Sequence, residues 1–458
     1  MSDANDPGLL TPAQASLLVD QYELTMSASY LRRGLDQPAT FELFARKLPP
    51  HRHWALAAGL GPTLRIVSEL RFGTAELDYL AGLGFDDGFL DYLRGFRFTG
   101  DIDAVPEGTI VFANEPLLRV TATRVQAQLL ETILLNQVNF QTMIATKAAR
   151  VVLAAGGGEV GAGDRVLDFS PRRDHGIDAA MKVARSCAVA GVRGTSNVAA
   201  AMRFGLRPVG TMAHSYVMSF PTELEAFKAF LADQPQNAVL LVDTYDTREG
   251  VLNAIRASEE TGVKLLGIRI DSGDLLALSR EARALLDGAG MTETRIAVSG
   301  DLEEHRIAEL VAAGAPIDLW GVGTELGTSR DAPVFNGVYK LVADWDAESG
   351  EWRGVAKRSA GKATVGGAKQ VFRERSGGVM ARDVIGRADE QLPGERLIVP
   401  VMRGGEIVHS ESLDEISARA SEQLGALPER LRRGGEDAEP YPVSYSEGLL
   451  RAQDAAGG

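Results

Sequence analysis

The sequence predicts an α/β protein whose central part is a (β/α) barrel, between an N-terminal α+β part and a C-terminal β-rich part. Three observations carry this. From Arg165 to Val322, seven short apolar runs alternate with helical patterns, which is the rhythm of a mainly parallel sheet. Each run ends in polar or charged residues, as barrel strands do around a site. The stretches before and after are turn-rich and lack the alternation. A doubly wound open sheet is the alternative reading of the same rhythm. The expected boundaries are 1–122, 123–335 and 336–458.

Composition narrows the function. The 458 residues suit two or three domains, and 45% hydrophobic with 24% charged residues is the balance of a folded soluble protein. A net charge of -14 argues against general nucleic-acid binding. A phosphorylated substrate would have to be held by local basic groups working against that field. Cys187 is the single cysteine, so neither an intrachain disulfide nor a multi-cysteine metal site can form. The first residues lack the basic-then-apolar pattern of a signal peptide, and no stretch is apolar enough to span a bilayer. A cytoplasmic location without membrane partners is expected.

In chain order, Thr11 to Leu31 reads as one helix carrying Asp20-Gln21-Tyr22-Glu23. Thr40 to Lys47 alternates as a strand. His51-Arg52-His53 reads as an exposed loop rather than a metal site, because no third ligand lies nearby. Phe98 to Thr121 is β-like, with a turn at Pro106-Glu107-Gly108. A long helix is expected from Thr123 to about Ala155, opened by a capping box of Thr123 and Gln126. Gly156, Gly158 and Gly161 match a dinucleotide fingerprint by letter only. They follow a helix rather than a strand, so they read as a helix stop.

The apolar runs are 165–169, 191–194, 207–210, 238–242, 265–270, 296–298 and 319–322. Helices are expected at 177–190, 222–232, 248–260, 275–286 and 302–313. Beyond Val334, strands are expected at 338–343 and 352–355, then a basic glycine-rich segment. A hairpin around Gly404-Gly405, a helix at 413–424, a short helix at 427–433 and an unordered tail from Gln453 complete the chain.

The strand ends supply the chemistry. Phe169 can stack on an aromatic ring, and Arg172 can pair with a small carboxylate. His214 sits among small residues, sterically open to a ligand or a phosphoryl group, although a lone histidine is more often packed or solvated. Asp243, Asp271 and Asp301 can grip ribose hydroxyls or an Mg²⁺ on phosphate oxygens. Asp243, Asp274 and Asp301 can equally be helix caps. Gly321 to Gly323 offers free backbone N–H groups near a helix start, where barrels bind phosphate, and Arg269, Arg330 and Lys340 can add charge. The inferred ligand is a phosphorylated sugar together with a flat, anionic aromatic compound.

These segments, taken together, resemble the nicotinate phosphoribosyltransferase family along nearly the whole chain. They are Asp20 to Thr25, Phe169 to Arg173, Arg193 to Asn197, Gly210 to Ser215, Asp243 to Asp246, Arg269 to Asp274, Ser299 to Leu302 and Gly321 to Thr324. The resemblance implies an irregular barrel of the type II phosphoribosyltransferase fold, with an added β-rich α+β domain formed by the N- and C-terminal parts. It implies transfer of phosphoribose from phosphoribosyl pyrophosphate to nicotinate, with Mg²⁺ and with ATP as co-substrate. This is the step by which nicotinate enters NAD salvage.

By resemblance His214 is phosphorylated during turnover, with Asp271 and Arg269 beside it in the catalytic group. The ring lies between Phe169 and Tyr22 of a neighbouring subunit, in a homodimer, with Arg172 near the nicotinate carboxylate. Asp271, Gly300, Asp301, Gly323 and Thr324 surround the ribose and phosphates, and Asp243, Arg330 and Lys340 join them. Basic residues between Lys357 and Arg373 reach ATP or pyrophosphate, or simply lie on a solvated hairpin. No G-x-x-x-x-G-K-[ST] loop exists, which is consistent with ATP using the same phosphate site.

Ser196 stands where nicotinamide-using relatives carry an aspartate, and a neutral residue there favours the acid. The family more often has Gly-Leu where this chain has Ser170-Pro171, and Pro171 restricts both its own φ and the conformation of Ser170. A nicotinamide- or quinolinate-using relative and a non-catalytic nucleotide-binding barrel are the alternatives.

Overall fold

The structure, a computed structural model, describes residues 9–357, 364–433 and 438–455. The chain forms two compact units. One comprises Met1–Thr146 with Val334–Gly458, and the other Lys147–Pro333. The helix Glu131–Ala155 runs across the division, so one element belongs to both units. The boundary expected after residue 122 falls ahead of it.

The second unit alternates strand and helix. It opens with β1 (Val166–Asp168), α1 (Ile177–Val189), β2 (Gly194–Thr195), α2 (Val198–Phe204), β3 (Arg207–Pro208), α3 (His214–Met218) and α4 (Glu223–Asp233). It continues with β4 (Val239–Leu241), α5 (Thr247–Thr261), β5 (Gly267–Ile270), α6 (Leu275–Gly288), β6 (Arg295–Val298), α7 (Glu304–Ala312), β7 (Leu319–Val322) and α8 (Thr324–Thr328). The strands pair in parallel in the order β3-β2-β1-β7-β6-β5-β4. Leu240, Ile268, Ile270, Ile296, Val298, Trp320 and Val322 are all buried, as expected for strands covered on both faces.

Seven strands laid flat would hold the outer two, β3 and β4, about 29 Å apart at ~4.8 Å per step. Instead the segment after β3 touches both ends of β4. Asn237 Nδ2 donates to the Gly210 carbonyl at 2.8 Å, and His214 Nδ1 shares a hydrogen bond with Thr244 Oγ1 at 3.1 Å. The sheet is therefore curled into a barrel whose last seam is closed by side chains rather than by a backbone ladder. This is the irregular barrel, and His214 sits on its seam.

Helix starts in this unit are capped by Asn197, Thr222, Asp246, Asp274 and Glu303. Of the three aspartates weighed as caps, only Asp274 is one. Asp243 and Asp301 are left for other partners.

The first unit is mostly antiparallel. Its seven-stranded sheet runs in the order Glu351–Gly354, Gly337–Asp346, Pro38–Ala45, Pro116–Thr123, Asp101–Ala104, Val399–Arg403, Glu406–Ile407. Strands from both parts of the chain thus share one sheet, over a core that includes Leu43, Ile102, Leu118, Val120, Val342 and Val401. A four-stranded sheet combines Glu395–Arg396, Lys369–Ser376, Val379–Arg387 and Val443–Tyr445. Among the described residues, no helix is long and apolar enough to cross a membrane.

Several elements differ from expectation. The first helix is two, Pro12–Leu17 and Gln21–Arg32, with Asp20 opening the second. The helix expected from Thr123 to Ala155 is interrupted at Leu129 and Leu130, and its capping box is absent. Gln126 instead accepts the Thr99 N–H at 2.9 Å, while Asp36 accepts that of Val125 at 2.8 Å. Nonlocal partners have displaced the local cap. Arg52 is buried rather than exposed. The segment read only as basic and glycine-rich contains the hairpin of Lys369–Ser376 and Val379–Arg387. A helix, Glu447–Ala455, covers the start of the expected unordered tail, and 456–458 lie outside the described residues.

Candidate active site

The site is built on the C-terminal ends of the parallel strands. After β4, Asp243 is half-buried, and its Oδ2 accepts from the Asp271 backbone N–H at 2.8 Å and from Ser272 Oγ at 2.9 Å. Its other oxygen, Oδ1, is buried and has no protein partner. After β5, Asp271 Oδ1 accepts from the Ser299 hydroxyl at the end of β6. Asp271 Oδ2 lies 4.0 Å from His214 Nε2. Three adjacent strand ends are thereby linked through the carboxylates of Asp243 and Asp271, and His214 faces Asp271 across the seam.

His214 opens α3 and its side chain is 40% exposed. Its Nδ1 is engaged with Thr244, which leaves Nε2 as the ring nitrogen directed at Asp271 and at open space. The preceding loop is held by Arg269, whose guanidinium donates to Thr211 Oγ1 at 3.3 Å and to the Met212 carbonyl at 3.0 Å. Burial pushes the Arg269 pKa down, while Asp271 and Asp243 pull it back up. Both loop partners are neutral, so they leave its charge uncancelled.

Backbone geometry packs the next two ends tightly. Gly300 and Asp301 have φ of 91° and 44°. A Cβ on Gly300 would lie 2.0 Å from the Asp271 carbonyl oxygen, so this close approach requires glycine. Within β7, a Cβ on Gly321 would meet the Phe169 ring at 2.6 Å. The ring after β1 therefore rests on bare backbone, with the remainder of Phe169 half-exposed. Ser196, after β2, is half-buried, and its hydroxyl is buried without a partner. Arg172 is exposed and near enough to Arg269 for their charges to repel. Arg330 is exposed and paired with Glu325 at 3.1 Å.

Phe169, Arg172, Ser196, His214, Asp243, Arg269, Asp271, Gly300, Asp301, Gly323, Thr324 and Arg330 thus all lie at or just beyond strand ends of one barrel. Tyr22 and Lys340 belong to the other unit, each interacting with Glu131. Tyr22 is 46% exposed, and burial of its phenol together with Glu131 raises its pKa. Lys369 and Arg373, expected to reach phosphate or to be solvated, are buried instead. They pair with Glu42 at 2.8 Å and Asp383 at 2.6 Å. Arg358 and Lys362 of the same segment lie outside the described residues. Sequence reasoning placed Thr244 and Ser272 at strand ends without giving them a role and did not single out Asp168, because their roles depend on partners far away in the chain. Among the described residues, no group of three or more His, Cys, Asp or Glu side chains is placed to hold a metal ion by itself.

Known proteins are similar to this chain in sequence and in fold. Residues 17–139 match the nicotinate phosphoribosyltransferase N-terminal domain, and residues 165–332 match the nicotinate phosphoribosyltransferase family. The chain belongs to the nicotinate phosphoribosyltransferase family. Within that family it is 45% identical to the nicotinate phosphoribosyltransferase pncB2 of Mycobacterium tuberculosis over 440 residues, covering 95% of this chain and 92% of the relative. It is 44% identical to the nicotinate phosphoribosyltransferase of Bacillus subtilis, covering 94% and 93%. The crystal structure of human nicotinic acid phosphoribosyltransferase matches with a TM-score of 0.81 and 27% identity, over 96% of this chain and all of that one.

Proposed function

We propose that the protein transfers phosphoribose from phosphoribosyl pyrophosphate to nicotinate, giving nicotinate mononucleotide and pyrophosphate, with ATP hydrolysis coupled through His214. The observation that carries the reading is the seam: an exposed imidazole with Nδ1 held by Thr244 and Nε2 facing Asp271. Fixing Nδ1 as the donor to Thr244 leaves the Nε2 lone pair for a phosphoryl group. Asp271 then stabilises the cationic ring that forms.

Phosphoribosyl transfer builds positive charge at the anomeric carbon as pyrophosphate leaves. Arg269 and Arg330 supply the positive field that stabilises the departing anion, with Lys340 as a further phosphate contact. Asp243 and Asp301 accept from ribose hydroxyls, and Gly300, Gly323 and Thr324 present backbone and hydroxyl donors to phosphate. Phe169, seated on Gly321, stacks the nicotinate ring, and Tyr22 of a second copy covers the opposite face in a homodimer. Arg172 holds the nicotinate carboxylate, and Ser196 leaves room for it without adding like charge.

Mg²⁺ fits this donor set, because it commonly uses one or two carboxylates plus substrate phosphates, and the Asp243 Oδ1 atom is partnerless. Asp243 and Asp271 are the residues that would hold it, and when bound it would neutralise pyrophosphate charge. A cytoplasmic location suits all three substrates.

The test is mononucleotide formation from nicotinate and from nicotinamide, each with phosphoribosyl pyrophosphate and Mg²⁺, with and without ATP. Product from nicotinate alone, enhanced by ATP, is expected. Product from nicotinamide contradicts the role of Ser196. The variant His214→Ala is expected to bind nicotinate and lose the ATP enhancement, and unchanged ATP use would remove His214 from the mechanism.

A further inference from the structure

Phe169 and Ser196 lie on neighbouring strand ends, and neither side chain is held by a hydrogen bond. Between them sits Asp168, the last residue of β1 and only 1% exposed. Its Oδ1 accepts from the backbone N–H and the hydroxyl of Ser170, at 3.0 and 2.6 Å. Its Oδ2 accepts from Thr195 Oγ1 at 2.7 Å, and its carbonyl accepts from the Ser196 N–H at 2.8 Å. The bond to the Ser170 N–H closes a tight Asx turn directly around Phe169. The bond to Thr195 fixes the residue next to Ser196, and Thr195 Oγ1 in turn accepts the Asn197 N–H at 3.0 Å.

We infer that Asp168 is a positioning residue of the ring pocket, whose one carboxylate sets the spacing between Phe169 and Ser196. The inference rests on the proposed assignment of those two residues to the nicotinate ring. All three donors to the carboxylate, one backbone N–H and two hydroxyls, are neutral, and both carboxylate oxygens are used. An ionised carboxylate is acceptor-only, so it serves donors on either side at once. Asparagine has the same shape but turns an NH₂ group toward one of them, leaving two donors opposed in a buried place. Other contacts fix the same wall from its remaining sides. The Phe169 N–H donates to the Val322 carbonyl at 2.9 Å, and a Cβ on Gly327 would fall 1.9 Å from Asp174 and 2.5 Å from Ser170 Cβ. Ser170 is thus enclosed, and its hydroxyl is the contact through which this chain accommodates serine before Pro171.

The experiment is steady-state kinetics of Asp168→Asn, Thr195→Val and Thr195→Ser, with thermal midpoints measured alongside. Asp168→Asn is expected to raise KM for nicotinate about tenfold while KM for phosphoribosyl pyrophosphate stays within about twofold. Thr195→Val is expected to shift KM for nicotinate in the same direction. Thr195→Ser, which keeps the donor, is expected to restore it. A folded Asp168→Asn enzyme with unchanged KM for nicotinate, or with both KM values raised together, overturns the inference. If Asp168→Asn does not fold, the Thr195 pair decides, and equal KM values for valine and serine overturn it. A wild-type enzyme that does not use nicotinate overturns the ring-pocket reading itself, so the two failures are distinct.

Discussion

At the scale of single residues, the site depends on polar atoms left without partners. The Ser196 hydroxyl is buried and unpaired, directly beside the wall set by Asp168. In the proposed ring pocket, a carboxylate introduced there would face the nicotinate carboxylate in a poorly solvated place. Ser196→Asp is therefore expected to lower kcat/KM for nicotinate by about tenfold or more while improving the nicotinamide ratio, which competition between the two substrates would measure. Asp174 offers a different test. Its Oδ1 is buried without a partner, and burial together with nearby Asp168 raises its pKa to about 6. A carboxyl whose folded pKa is raised favours the folded state when protonated, and this advantage is lost as pH rises through about 6. Asp174→Asn is expected to raise the thermal midpoint by a few degrees at pH 8 and to change it little at pH 4. An equal gain at both pH values would show that the charge is not the cause.

At the scale of elements, ion pairs fix where the site loops begin. Lys147, 1% exposed on the long helix Glu131–Ala155, pairs with Glu304 at the start of α7 and with Asp331 at 2.9 Å. Arg150 joins Glu304 at 2.8 Å. Glu304 lies three residues after Asp301, and Asp331 directly follows Arg330, so one lysine anchors the loops that carry both residues. Burial opposes the charge on Glu304, but Lys147 and Arg150 outweigh it and hold its pKa below the ordinary 4.5. The stability this contributes is present above that value and is lost as pH falls below it. Lys147→Met leaves a buried carboxylate short of a cation and is expected to cost about 3–5 kcal/mol, measured by urea unfolding at neutral pH. The loss is expected to shrink as pH falls below 4.5 and Glu304 protonates.

The same interactions explain which elements were legible in the sequence. The parallel strands were readable because burial on both faces makes plain apolar runs such as Val239 to Leu241. The hairpin of Lys369–Ser376 and Val379–Arg387 was not, because Arg373 and Asp383 are buried as an ion pair within it and Lys369 is buried against Glu42 of the neighbouring sheet. From Lys369 to Arg373 every residue is buried, so no alternation survives. The lost Thr123 cap likewise follows from Asp36 and Thr99, which are distant in sequence.

At the scale of the whole molecule, the barrel supplies every proposed site residue except Tyr22 and Lys340. The strand-end positions could be read from the alternation alone, since a barrel gathers its C-terminal ends whatever the intervening helices. The closure of the seam through His214, Thr244, Asn237 and Gly210 could not, because it joins segments that share no backbone ladder. Tyr22 sets the remaining question of scale. Its ring is 46% exposed in a single chain, and the nicotinate reading assigns it to a partner's pocket. If two copies share their sites, a Tyr22→Ala chain and a His214→Ala chain each lack one half of every site they form alone. Mixed and allowed to exchange, they would form heterodimers with one site carrying both defects and one carrying neither. Random exchange at equal amounts is then expected to restore about a quarter of the wild-type ATP-coupled rate, by the symmetry of a closed dimer. A mixture no more active than the two variants measured separately would place Tyr22 and His214 in the same subunit's site and end the shared-site reading.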